Sequence, residues 1–434
     1  MKILTKLKYF FLPSALILHV ALIFARGYFL SGEFTLYPYL VSRGFLPYRD
    51  LLDQHFPTLL LGPFSLPAFL TSNPWPLLFV FLATLCLTDI FLYASLIRFK
   101  IKQPLVWLVL FVVSSVYFSG YILWFETFVN LLISLWLFLS FSKNRLRQFV
   151  SGFLLSQILL LRPTIAPALL VLFLSFSHFS IPLILGGLIG VGIPTLFIFK
   201  QEILADFYRQ AIQFNKDIYP QEARLLPNFR QILTLSVWLT PAIYFIVKNK
   251  KFHYLAILIG LLVLAFPRFG YEHLQPLCLV AVLFWALLSK KPNIFAYLFI
   301  IIFFCLNLVS AIRHPYGNFY LTPEVQSSAN QIRKLPGQTI YLLGAPDILY
   351  PLSGKIPPNY TYIPSLPWYL HQKDFQDRII LSLKDSNTPV LINFQAEVDD
   401  KNIVTESQKV FEYIKMNYEE GEKINSYQLF LPKL

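Results

Sequence analysis

Apolar runs of bilayer-spanning length, separated by short polar stretches, constrain this 434-residue chain more than any other feature. A spanning helix needs ~20 mostly apolar residues, because its backbone groups must be satisfied within the segment. Eleven runs are candidate spans: 9–27, 75–97, 104–120, 122–141, 148–161, 163–177, 180–199, 232–247, 252–267, 272–289 and 293–312. Only 14% of residues are charged, where a soluble domain carries about 25%. The expected fold class is therefore a polytopic α-helical membrane protein. The first run follows Lys2, Lys6 and Lys8 as a signal peptide would, but it is long enough to span and is read as an uncleaved helix.

Sidedness follows from the basic clusters. Lys2/Lys6/Lys8, Arg98/Lys100/Lys102, Lys143/Arg145/Arg147, Lys248/Lys250/Lys251 and Lys290/Lys291 all fall on one side under two conditions. Residues 57–70 must form an interfacial or re-entrant helix, and 148–177 must be two short spans broken at Arg162-Pro163, where proline favours a break. The N-terminus is then cytoplasmic and the C-terminal segment extracytoplasmic, in a multi-pass protein of the cytoplasmic membrane.

With that orientation, nine of the ten acids in residues 1–312 lie at the outer face: Glu33, Asp50, Asp53, Glu126, Glu202, Asp206, Asp217, Glu222 and Glu272. Asp89 alone is intramembrane, where a carboxylate is costly and calls for a partner. Outer basic residues are mostly arginine, among them Arg26, Arg43, Arg49, Arg162, Arg209, Arg224, Arg230 and Arg268. A planar guanidinium suits phosphate or carboxylate.

The net charge of +13 does not point to nucleic acid, since residues 313–434 hold 12 basic and 13 acidic residues and the excess belongs to the membrane part. Cys86, Cys278 and Cys305 lie in apolar runs with no metal spacing. No His/Asp/Glu cluster has metal spacing either, so neither metal nor cofactor is expected. "LGGLIGVG", residues 185–192, offers small residues for close helix packing.

Two domains are expected: a transmembrane domain over 1–312, with outer loops 28–73 and 200–231, and a small extracytoplasmic α/β domain over 313–434. In the second, "TPEVQSSANQIRKLPG" reads as a capped helix ending at Gly337, "QTIYLLG" and "TPVLINF" as strands, "SQKVFEYIKMNY" as an amphipathic helix and "YQLFLPK" as a last strand.

The stretch "SGEFTLYPYLVSRGFLPYRDLLDQHFP", residues 31–57, concentrates Glu33, Asp50, Asp53, Arg49 and His55 just after the first span. A carboxylate at the lipid–water border can take a proton from an acceptor hydroxyl; the bland alternative is a solvated loop with internal salt bridges. Glu126 suits its helix N-terminus or an arginine partner. His55 and His273 suit hydrogen bonding.

This stretch resembles the first outer loop of GT-C glycosyltransferases of the protein O-mannosyltransferase and lipid A aminoarabinose transferase type. "LWFETFVNLLISLWLFLS" with Glu126, "LLLRPTIAPALL" with Arg162, and "PRFGYEHLQPLCLVAVL" with Tyr271, His273 and Pro276 are similar to later segments of that family. The resemblance implies a polyprenyl-phosphate sugar donor, inverting transfer to a hydroxyl of an acceptor protein, lipid or glycan, and surrounding membrane lipids. It implies Arg162, Arg268 and His273 at the donor phosphate, with Glu126, Arg49, His55 and Tyr271 in support. One position departs: the family's Asp-Glu pair is Gly32-Glu33 here, which leaves Glu33, Asp50 or Asp53 as the base, or catalysis lost. A transporter or lipid flippase and a non-catalytic envelope-assembly protein are the other function classes.

Overall fold

A computed structural model describes residues 11–140, 142–313 and 322–433. Lys2, Lys6 and Lys8 lie outside the described residues. The chain is mostly helical and divides into two compact units, one of Met1–Phe29, Leu78–Ile193 and Leu226–Gly317, the other of Leu30–Leu77, Pro194–Leu225 and Asn318–Leu434. Segments from both expected outer loops thus belong to the same compact unit as the C-terminal segment.

In the helical unit and the helices leading from it, each of the eleven apolar runs carries helix. Pro74–Arg98, Ile181–Lys200, Phe229–Lys248, Tyr271–Ser289 and Ile294–Arg313 are long and apolar enough to cross a membrane. Arg145–Leu161 and Pro163–Phe176 together make a sixth candidate, bent by 117°. The remaining apolar helices, Leu12–Arg26, Pro104–Gly120, Phe125–Leu139 and Phe252–Ala265, are shorter. Several helices could therefore span a bilayer, five or six of them by length and composition.

Packing separates central from peripheral helices. The apolar window of Tyr271–Ser289 is 78% buried, whereas that of Ile294–Arg313 is only 17% buried. An apolar helix that leaves most of its side chains uncovered is suited to a lipid environment. Helix Ile181–Lys200 packs on Arg145–Leu161 backbone to backbone at Gly152 and Gly186, while Gly190 faces the Ser156 side chain, and the Gln157 side chain donates to the Gly190 carbonyl at 3.0 Å. Inside this unit His19 Nδ1 and Asp89 Oδ2 lie 2.8 Å apart, both side chains fully enclosed.

The second unit contains a four-stranded mixed sheet. Strand β1 (Tyr341–Leu343) runs parallel to β2 (Val390–Ile392), which pairs antiparallel with β4 (Tyr427–Pro432), itself in a hairpin with β3 (Tyr418–Ile424). The parallel pair requires a crossover, and helix Lys373–Ser386 lies within it. Its buried Ile379 and Leu383 join Leu343, Val390, Ile392, Val410, Ile414 and Phe430 in one core, completed by Leu52 and Phe214. Phe214 stacks on Tyr369 with ring centroids 4.7 Å apart. Thr322 accepts from the Val325 amide and caps helix Pro323–Lys334. That helix ends at Lys334 with Leu335 as its C-cap, short of the expected end at Gly337.

The expected helix over 57–70 is absent; only Ala68–Thr71 is helical there. Pro57, Pro63 and Pro67 remove amide donors at short intervals, and Leu59 adopts φ 68°. Helix Gly32–Ser42 does form, and Gly44 at φ 93° follows it, as a left-handed position after a helix favours.

Candidate functional site

Two constellations gather the residues singled out by sequence, one in each unit. In the helical unit, Pro163 ends Arg145–Leu161 and leaves Arg162 in a non-helical conformation, φ −143° and ψ 84°. Its side chain meets Glu126 in the first turn of Phe125–Leu139, which starts where the Trp124 amide donates to Thr127 Oγ1 at 3.3 Å. Arg162 Nε donates to Glu126 Oε1 at 2.5 Å, and Arg162 Nη2 contacts both Glu126 and His273 Nδ1, the latter at 2.6 Å. The same ring nitrogen lies 3.2 Å from Glu126 Oε1, so it faces both the guanidinium and the carboxylate. His273 Nε2 lies 3.8 Å from Glu272. Glu126 is fully buried, while Arg162 is 19% exposed. The guanidinium that the resemblance assigns to a phosphate is thus already matched by a buried carboxylate.

His273 stands in the turn Tyr271–Leu274 just before helix Gln275–Ser289. Gln275 anchors that helix to the kink at Val116–Gly120: its Nε2 donates to the Ser115 carbonyl at 3.1 Å and its Oε1 accepts from Ser115 Oγ at 2.6 Å. A π-helical turn ending in left-handed Ser119 is the kind of irregularity that recurs at functional sites. Tyr271 packs its ring on Phe118, centroids 5.1 Å apart. Arg268 belongs to the same unit and precedes this turn.

The second constellation surrounds the opening stretch. Glu33 occupies the first turn of Gly32–Ser42, where the helix dipole favours a carboxylate, and the Ser31 hydroxyl donates to it. Asp50 accepts from the Leu46 amide at 2.9 Å, which gives it a role in holding the Pro47–Asp50 turn. Burial raises the Asp50 pKa, opposed by that amide and by Arg49. Asp53 is buried and accepts from the His55 amide at 3.0 Å, and its Oδ1 lies 2.9 Å from the His55 ring Nδ1. Arg49 reaches into the 200–231 segment, donating to Asp206 at 2.8 Å and to the Glu202 carbonyl at 2.5 Å.

The sequence reading misses Asp347. It follows β1 in a loop, with nothing in its neighbours to mark it. Tyr362 is held beside the opening stretch by paired backbone bonds, Leu52 amide to Tyr362 carbonyl at 3.0 Å and Tyr362 amide to Asp50 carbonyl at 2.7 Å. Its ring lies 5.9 Å from that of Tyr37, one turn after Glu33. Desolvation pushes the Asp347 carboxyl up to about 7, opposed by its hydrogen bond with Tyr362 and reinforced by the Glu33 charge. The same acids, Asp53 and Glu33, help burial raise the phenol of Tyr37. The charges of Glu33 and Asp53 thus both act on Tyr37 and Tyr369, while Asp347 is hydrogen-bonded to Tyr362. No group of three or more His, Cys, Asp or Glu could hold a metal ion among the described residues.

The proton on Asp347 has a stability consequence. Unfolded, the group titrates near 3.8; folded, near 7. Between those values the folded state binds the extra proton, so this contribution is full below about pH 4 and is lost as pH rises through 7. It amounts to roughly 4 kcal/mol. Thermal unfolding of Asp347→Asn across that window is expected to show a flatter pH dependence and a gain over wild type at pH 8. Parallel profiles would contradict the assignment.

Compared with known proteins, the chain matches no protein-family model and no curated protein.

Proposed function

We propose that the protein is a glycosyltransferase of the GT-C type, taking a sugar from a polyprenyl-phosphate donor at the outer face of the cytoplasmic membrane and passing it to an acceptor hydroxyl with inversion. The reading includes the eleven-pass topology, a cytoplasmic N-terminus and an extracytoplasmic C-terminal domain. The acceptor is a protein, a lipid or a glycan.

The observation that carries the proposal is a partly exposed carboxylate, Glu33, in the first turn of its helix, whose charge acts on Tyr37, Tyr362 and Tyr369 and on Asp347, a carboxyl pushed up to about 7 by burial. Aromatic faces suit sugar rings, and a base beside an acid suits proton traffic at a hydroxyl. In the reaction the acceptor oxygen attacks the anomeric carbon as the bond to the phosphate oxygen breaks. The acceptor proton passes to the Glu33 carboxylate, and the electron pair leaves with the polyprenyl phosphate. Fixed cations stabilise the charge that grows on that phosphate, and Arg162, Arg268 and His273 are the residues the resemblance brings to this step.

Glu33→Gln is expected to lower sugar transfer by roughly 10²- to 10⁴-fold in proteoliposomes supplied with labelled donor, with folded protein undiminished. Unchanged transfer would remove Glu33 from the role of base.

A transporter is the second reading, favoured by the buried His19–Asp89 pair, whose outward atoms His19 Nε2 and Asp89 Oδ1 have no hydrogen-bond partner. Proton-coupled uptake lost in Asp89→Asn, with no donor consumed by wild type, would favour it.

A further inference from the structure

The Arg162 guanidinium is matched by Glu126 and His273. Another buried guanidinium in the helical unit is not. Arg26 is the last residue of helix Leu12–Arg26 and is 7% exposed. Its Nε and Nη1 are enclosed, with no hydrogen-bond partner. Its Cζ lies 4.6 Å from the centroid of the Tyr121 ring. A cation–π contact offsets only part of the desolvation of a guanidinium, and a buried cation is normally accompanied by an anion.

The surroundings of Arg26 are built rather than incidental. Gly27, at φ 71°, turns the chain out of the helix, and the Phe29 amide then donates to the Tyr121 carbonyl at 3.0 Å. Tyr121 directly follows the Val116–Gly120 kink, which Gln275 grips two residues after His273. Arg26, the kink and the His273 turn are therefore joined by one run of backbone and side-chain bonds within a single unit. A helix C-terminus already favours a cation through its dipole, but that leaves the two donors unfilled.

We propose that Arg26 receives the phosphate of a polyprenyl-phosphate lipid; this rests on the sugar-transfer reading above and assigns its donor phosphate to a residue which that reading did not include. The ligand chemistry is a lipid-borne phosphate, and two sources could supply it: the polyprenyl donor or an ordinary phospholipid headgroup.

The test measures binding of a fluorescent polyprenyl monophosphate to the full chain in nanodiscs of zwitterionic lipid, for wild type and Arg26→Gln, with phosphatidylglycerol as competitor. The expected result is tight binding by wild type, a loss of about tenfold or more in the variant, and no competition by phosphatidylglycerol at equal mole fraction. Equal binding by wild type and variant overturns the role of Arg26 alone. Equal competition by phosphatidylglycerol overturns the donor assignment in favour of a headgroup site. Wild type that binds no polyprenyl phosphate overturns this proposal together with the sugar-transfer reading. Should Arg26→Gln fail to fold, a polyprenyl phosphate carrying a photoreactive group beside its phosphate decides the matter on wild type. Labelling of the segments around Arg26 and Tyr121 supports the proposal, and labelling confined to other segments overturns it.

Discussion

Glu126→Gln is expected to destabilise the protein by about 3–5 kcal/mol, because it leaves the Arg162 guanidinium without its carboxylate inside an apolar helical unit. The loss comes from stranding a charge, since a buried ion pair is worth little net over apolar residues of similar volume. A control follows from that distinction. Combining Glu126→Leu with Arg162→Met removes both charges and is expected to recover most of the stability lost in Glu126→Gln. Thermal unfolding in nanodiscs reads the difference. If Glu126→Gln unfolds within 1 kcal/mol of wild type, the pair does not hold the break between Leu161 and Pro163 as described. His273→Ala belongs to the same set: its Nδ1 lies 2.6 Å from Arg162 Nη2 and 3.2 Å from Glu126 Oε1, so the variant is expected to lose about 1–3 kcal/mol.

The second large effect lies at the contact between Arg145–Leu161 and Ile181–Lys200. A Cβ at Gly152 would stand 1.8 Å from the Leu183 carbonyl oxygen, and one at Gly186 would stand 1.9 Å from the Phe149 carbonyl oxygen. Neither backbone can yield without separating the helices. Gly152→Ala and Gly186→Ala are therefore each expected to cost about 1–3 kcal/mol, and larger side chains more. Gly187→Ala is the matched control, since its Cβ would find only the Gly152 carbonyl at 3.7 Å, an ordinary contact. At Gly190 the obstacle is the Ser156 hydroxyl at 1.9 Å, a side chain that can rotate, so Gly190→Ala is expected to fall between. Folded yield and unfolding temperature of the four variants test this order. Equal behaviour of Gly152→Ala and Gly187→Ala would show that the backbones do not meet there.

What the sequence reveals here is chiefly local. Pro163 marks a break because its ring and missing amide act on its own turn, and Thr322 caps because its hydroxyl reaches an amide three residues on. Long apolar runs give helices because burying or lipid-facing them needs satisfied backbone. The same apolar composition misleads over 57–70, where three prolines in eleven residues deny the helix its donors. Strand Tyr418–Ile424 escapes notice because "YEEGEKI" forms one side of a hairpin with its charges outward and only its ends buried. Helix Lys373–Ser386 did carry a signal, with apolar Phe375, Ile379 and Leu383 at helical spacing.

Partnerships between distant segments were not legible. Glu126 is 36 residues from Arg162 and 147 from His273, and no local rule brings them together. That convergence turns a cation suited to a phosphate into one already neutralised. Asp347 was equally hidden, since its proton near neutrality comes from burial in the folded chain and from the Glu33 charge, against the hydrogen bond with Tyr362. The apolar runs were legible as helices, whereas the number that cross the bilayer depends on a membrane which the sequence does not contain.

The central claim is the chemistry at the outer face, and donor consumption tests it most directly. The full chain is reconstituted in proteoliposomes with polyprenyl-phosphate sugars labelled at the anomeric carbon, hexose and pentose in parallel. Release of free polyprenyl phosphate and the anomeric configuration of the labelled product are followed together. The expected result is consumption of one donor with inversion at the anomeric carbon. Donors left intact under conditions where an active glycosyltransferase of this type consumes them, or a product with retained configuration, would contradict the account.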